Sequence, residues 1–75
     1  MKLTAVISKE EKLYVAWCPE LDIASQGENI EKALRNLKEA IELYLEDEDA
    51  KVPSSPIFLT TIEVKNAKAA HSIGA

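Results

Sequence analysis

Residues 29–49, NIEKALRNLKEAIELYLEDED, carry the one unambiguous period in this chain. Ile30, Ala33, Leu34, Leu37, Ala40, Ile41, Tyr44 and Leu45 recur at steps of three and four, which on a 3.6-residue turn forms one apolar stripe. Glu31, Lys32, Arg35, Asn36, Lys38, Glu39, Glu42 and Glu46 fill the opposite face. Glu28/Lys32, Glu31/Arg35 and Lys38/Glu42 stand four apart, where opposite charges meet and each pair adds about 0.2–0.5 kcal/mol. Asn29 is a good N-cap, with Glu28 and Glu31 at the positive end of the helix dipole, although Lys32 occupies the place of a capping-box Glu. At the other end Glu46, Asp47, Glu48 and Asp49 oppose the same dipole, at about 0.3–1 kcal/mol per charge, so the helix is expected to fray there.

An amphipathic helix needs a surface to cover, and the flanking sequence supplies strands. Residues 2–8, KLTAVIS, alternate with Leu3, Ala5 and Ile7 on one side, the period of a half-buried strand. The charged residues 9–12 form a hairpin loop, and residues 13–18, LYVAWC, make a second strand that is apolar on both faces. Pro19 ends it, residues 22–26 suit a short third strand, and Gly27 supplies a turn with positive φ if the backbone requires one. Residues 50–56, AKVPSSP, read as a linker, and residues 57–64, IFLTTIEV, as a last strand. One domain is therefore expected over 1–64, with a loose tail over 65–75. A helix covers one face of a sheet; the face bearing Trp17 needs a second subunit or a partner.

Composition narrows the function. The chain has 75 residues, enough for one modest core, and self-association often supports domains of that size. Its net charge of −4 disfavours binding to phosphate backbones and favours a basic protein partner. No apolar run is long enough to span a membrane, no signal peptide is visible, and a single cysteine, Cys18, fits a reducing cytoplasm. The inventory does not suggest an enzyme: His71 is the sole histidine, Cys18 before Pro19 reads as a small buried hydrophobe, and only Gly27 and Gly74 are glycines. No metal or cofactor is expected. Candidate contacts for a partner are Trp17, Glu20, Asp22 and the acidic run Glu46, Asp47, Glu48 and Asp49, together with exposed strand edges. Trp17 is open to two readings, core packing or interface anchor.

Over residues 14–46 the chain resembles the HicB family of antitoxins. The elements that carry the resemblance are Tyr14, Ala16, Pro19, Glu20 and Leu21 at a strand end, Ser25, Gly27 and Glu28 closing a short strand, and Ala33, Asn36, Glu39 and Ala40 on the helix. Asn29 stands where Thr is common, which preserves the capping chemistry. The resemblance implies an α+β, partial RNase H-like fold in the order β-β-β-α-β, with three antiparallel strands, one helix and one further strand. It also implies a cytoplasmic antitoxin that neutralises a small basic HicA-type RNA-cleaving toxin by covering its active surface, often as a dimer or tetramer. Full-length HicB proteins add a DNA-binding segment; residues 65–75 lack its apolar pattern, so no direct DNA binding is expected. Residues 2–8 hold no acid to bind a metal, so nuclease activity is not expected despite the fold name. The alternative is an orphan HicB-like module that binds a small molecule or regulatory partner without a toxin.

Overall fold

The computed structural model describes residues 1–53 and 55–65. Three strands, β1 (Val6–Glu10), β2 (Leu13–Cys18) and β3 (Ile23–Gly27), form one antiparallel sheet in the order β1-β2-β3, followed by helix α1 (Ile30–Leu45). The architecture is α+β, as the two periods in the sequence require. The expected tail, His71 included, lies outside the described residues except for Lys65.

Register sorts the side chains by face. Ile7 pairs with Ala16 and Ala16 with Ser25, while Cys18 pairs with Ile23 and Tyr14 with Gly27; these positions face the helix. Val6, Trp17 and Ala24 form a column on the other face, next to Ser8, Val15 and Gln26. Ala16, Cys18, Ala33 and Leu37 are the buried core, with Leu3, Ile7, Tyr14, Leu21, Ile23 and Ile41 packed around it. Such a core is small. Full burial of one Leu-sized side chain contributes about 1.5–3 kcal/mol, and Leu37 is the one large aliphatic residue that reaches it.

Several boundaries move from their expected places. The first strand begins at Val6 rather than at residue 2, because residues 1–5 are not paired with β2. Its hairpin loop shrinks from residues 9–12 to Glu11-Lys12, since Lys9 pairs with Tyr14 and Glu10 with Leu13. So tight a loop forces Glu11 to a φ of 45°, a left-handed conformation that costs a non-glycine residue about 1–2 kcal/mol. The Lys9 ammonium lies 5.7 Å from the centroid of the Tyr14 ring across the same hairpin. The helix stops at Leu45 with Glu46 as its C-cap, and the other three acids fall in the turn beyond it, still at the negative end of the dipole. Of the three expected ion pairs, Glu28–Lys32 closes at 3.4 Å.

The last expected strand is the main correction. Residues 57–64 pair with no strand among the described residues, and all eight are exposed. β-branched and aromatic composition makes a segment fit for a sheet, but a strand forms only where another offers its backbone groups. The helix stripe is also only partly used. Ala33 and Leu37 are buried, whereas Ile30, Leu34 and Tyr44 are exposed, because α1 lies mainly on β3 and β2 and leaves the β1 side of the sheet uncovered.

Candidate functional site

The turn between β2 and β3 gathers three of the residues singled out by the sequence. Pro19 ends β2, and the chain reverses over residues 19–22, with Asp22 at a φ of 52°. From there the Asp22 carboxylate accepts a hydrogen bond from the Trp17 indole N–H at 2.9 Å. The indole N–H is therefore satisfied while the residue stays 40% exposed. Trp17 thus lies outside the core of the single chain: Tyr14, Ala16 and Cys18 point to the helix, and Trp17 to the other side. Beside it on that face lie Val6, Val15 and Ala24, with Ser8 and Gln26 next along the neighbouring strands.

Glu20 serves a different purpose. Both of its carboxylate oxygens accept from the Thr4 backbone N–H at 3.0 Å, and Oε2 also accepts from the Thr4 hydroxyl at 2.6 Å. The Cys18 thiol donates weakly to Oε1 at 3.5 Å. The hydroxyl bond from Thr4 outweighs partial desolvation and holds the Glu20 carboxyl below its ordinary 4.5. Desolvation in turn pushes the thiol of Cys18, which is free and fully buried, above its ordinary 9.0, with the adjacent Glu20 adding to the rise. This carboxylate is thus an internal clamp between the chain's first residues and the β2–β3 turn, separated by 16 positions in sequence. A reactive thiol is not what this environment makes.

Two further motif residues, Gly27 and Asn36, join the helix to the sheet. A Cβ on Gly27 would lie 2.5 Å from the Ala33 nitrogen and 2.7 Å from the Lys32 carbonyl carbon, so only glycine permits the first turn of α1 to approach β3 this closely. Gly27 has no left-handed φ; close approach, not a turn conformation, is what its position demands. Asn29 caps the helix by accepting from the Lys32 N–H at 2.8 Å, and the Asn36 side-chain amide donates to the Gln26 carbonyl at 2.8 Å. Tyr44 is a residue that sequence reasoning treated as stripe only. Its hydroxyl accepts from the Lys51 N–H at 3.0 Å and donates to the Lys51 carbonyl at 3.1 Å, fastening the linker to the helix. A tyrosine on the margin of the stripe, six residues before a Pro-containing linker, was the available signal.

Glu46, Asp47, Glu48 and Asp49 lie past the helix C-terminus, on a different element from Trp17 and Asp22. Asp47 caps its own turn through the Asp49 N–H at 2.8 Å. Among the described residues no group of three or more His, Cys, Asp or Glu side chains is arranged to hold a metal ion, and no helix is long and apolar enough to cross a membrane.

Together these features define a small α+β domain with its helix packed on β2 and β3 and an exposed tryptophan on the opposite sheet face. Over 51 residues the chain is 55% identical to a UPF0150 protein of Helicobacter pylori (strain J99), an alignment covering 67% of this chain and 71% of that protein. It is 36% identical over 66 residues to a UPF0150 protein of Synechocystis, covering 81% and 84% of the two chains. The chain belongs to the UPF0150 family. No family model matches it, and no solved structure does.

Proposed function

We propose that this protein is a HicB-like antitoxin that binds a small basic HicA-type RNA-cleaving toxin and covers its active surface. The observation that carries the reading is the open sheet face, where the exposed Trp17 donates its indole N–H to Asp22 and shares the face with Val6, Val15 and Ala24. An exposed tryptophan, pre-oriented by a carboxylate and ringed by smaller apolar groups, has the makeup of an interface anchor. The net charge of −4 suits a basic partner through long-range attraction. The resemblance supports the reading further, since its motif residues Gly27, Ala33 and Asn36 lie where helix meets sheet and Glu20 fixes the β2–β3 turn to Thr4. Binding of this kind is stoichiometric and asks for no catalytic group, metal or cofactor. The acidic turn 46–49 is a secondary contact for the same partner, through long-range attraction alone.

The decisive experiment pairs the protein with a small basic HicA-type toxin. Co-expression should yield a stable complex and relieve the growth arrest caused by the toxin. Trp17→Ala should weaken binding by about 2 kcal/mol or more, roughly thirtyfold, while the circular dichroism of the free protein is kept. Absence of any complex together with no relief of growth arrest refutes the proposal. The alternative, a small-molecule module, would have as its site the groove between residues 1–5 and α1.

A further inference from the structure

The open sheet face sets an aromatic ring beside a carboxylate, with a cation assigned to neither among the described residues. β2 is the central strand, and Trp17 stands opposite Val6 on one neighbour and Ala24 on the other. Both are smaller than an indole, so neither fills the space over the ring. The backbone of Trp17 lies in a strand paired on both sides and its N–H already donates to Asp22 Oδ1 at 2.9 Å, so what stays exposed is mainly ring carbon. The other Asp22 oxygen, Oδ2, accepts no hydrogen bond within the described residues. Among them the one ion pair is Glu28–Lys32 at the start of α1, and the one cation over a ring is Lys9 at Tyr14, which points to the helix.

The geometry selects among cations. An indole N–H points along the ring plane, so the oxygen that accepts it sits off the ring's edge and leaves the ring's face free. That face attracts a cation through its quadrupole, and the carboxylate adds a full negative charge beside it. A guanidinium is planar, stacks on an aromatic face and still directs its N–H groups edgewise, so it engages ring and carboxylate together. An ammonium is a compact, strongly hydrated point charge that does not stack.

We propose that Trp17 and Asp22 together receive one arginine side chain of the basic partner, its guanidinium stacked on the indole and donating to Asp22 Oδ2. The source of that arginine rests on the antitoxin reading, and the contact gives Trp17 a chemical selectivity that apolar area alone lacks. The receptor is ordered before the partner arrives. Asp22 holds a φ of 52°, from which its Oδ1 meets the indole, so each side chain fixes the other and little freedom is left to lose on binding. The net charge of −4 draws a basic surface toward the protein, and the ring with its carboxylate then decides which cation docks.

The test is a set of double-mutant cycles on the complex with a small basic HicA-type toxin, whose arginines are replaced by lysine one at a time. Asp22→Asn removes the charge, keeps an oxygen for the indole N–H and suits a left-handed φ, so the free protein should retain its circular dichroism. It should weaken the complex about tenfold, and its effect should couple with one toxin arginine by about fivefold or more. Trp17→Leu keeps an apolar side chain without a ring and should couple with the same arginine. Glu39→Gln makes the same change in net charge at an exposed position on the helix and should couple with none. A complex in which no arginine couples with Asp22, or in which Glu39→Gln couples equally, overturns this proposal and leaves the antitoxin reading standing. Absence of any complex overturns both. If Asp22→Asn fails to fold, the cycles with Trp17→Leu decide the matter.

Discussion

Replacement of Gly27 by alanine tests the most constrained contact in the fold. The added Cβ would sit 2.5 Å from the Ala33 nitrogen, 0.9 Å inside the 3.4 Å at which ordinary contact begins, and 2.7 Å from the Lys32 carbonyl carbon. Both are backbone atoms in the first turn of α1, so no side-chain rotation relieves the overlap; the turn itself has to lift by nearly 1 Å. Lifting it separates Ala33, now fully buried, from the sheet and stretches the 2.8 Å bond from Asn36 to the Gln26 carbonyl. Overpacking by one carbon costs about 1–3 kcal/mol, and an unyielding backbone neighbour places this case in the upper half, about 2–3 kcal/mol. A chain of this length has a total stability of about 4–11 kcal/mol. Urea denaturation followed by Trp17 fluorescence and by helical circular dichroism should therefore show a midpoint lowered by about 2–3 M, at a slope of about 1 kcal/mol per molar. Gln26→Ala, whose side chain is on the open face, is the control and should stay within about 0.5 kcal/mol. If Gly27→Ala also unfolds within about 0.5 kcal/mol of the parent protein, the close approach of helix and strand is not the reason for glycine there.

Three further perturbations address the cap, the clamp and the linker. Asn29→Ala removes the acceptor for the Lys32 N–H and should cost about 1 kcal/mol, read as a fall in thermal midpoint, with Asn29→Asp retaining most of the stability. Because the Glu20 pKa is lowered on folding, its contribution is complete above the ordinary 4.5 and fades as pH falls through the folded value; stability measured from pH 7 down to pH 2 should decline less in Glu20→Gln than in the parent protein, and parallel declines would count against the clamp. Tyr44→Phe deletes both bonds to Lys51 and should cost about 1 kcal/mol at most, while amide exchange at Lys51 accelerates clearly; unchanged exchange would mean that the hydroxyl does not hold the linker.

The sequence by itself determined whatever depends on local period. A stripe at steps of three and four is a helix whatever it packs against, and Asn29 caps it with its own side chain, so both were legible, as was the opposite facing of Trp17 against Tyr14, Ala16 and Cys18. Gly27 was recognisable as special, but for the wrong reason, since close approach of a helix cannot be read from a neighbouring residue's φ preference. Glu20 stood out as a possible contact for a partner, and nothing local could reveal that Thr4 already occupies its carboxylate, because the two meet only when the chain folds back across 16 positions. The same holds for the indole of Trp17 and the carboxylate of Asp22, which need the left-handed turn residue to meet. Residues 57–64 mark the boundary most clearly. Their composition suits them to a strand, but a strand is a relation between two backbones, and only the tertiary structure decided that β1 and this segment stay apart within the single chain.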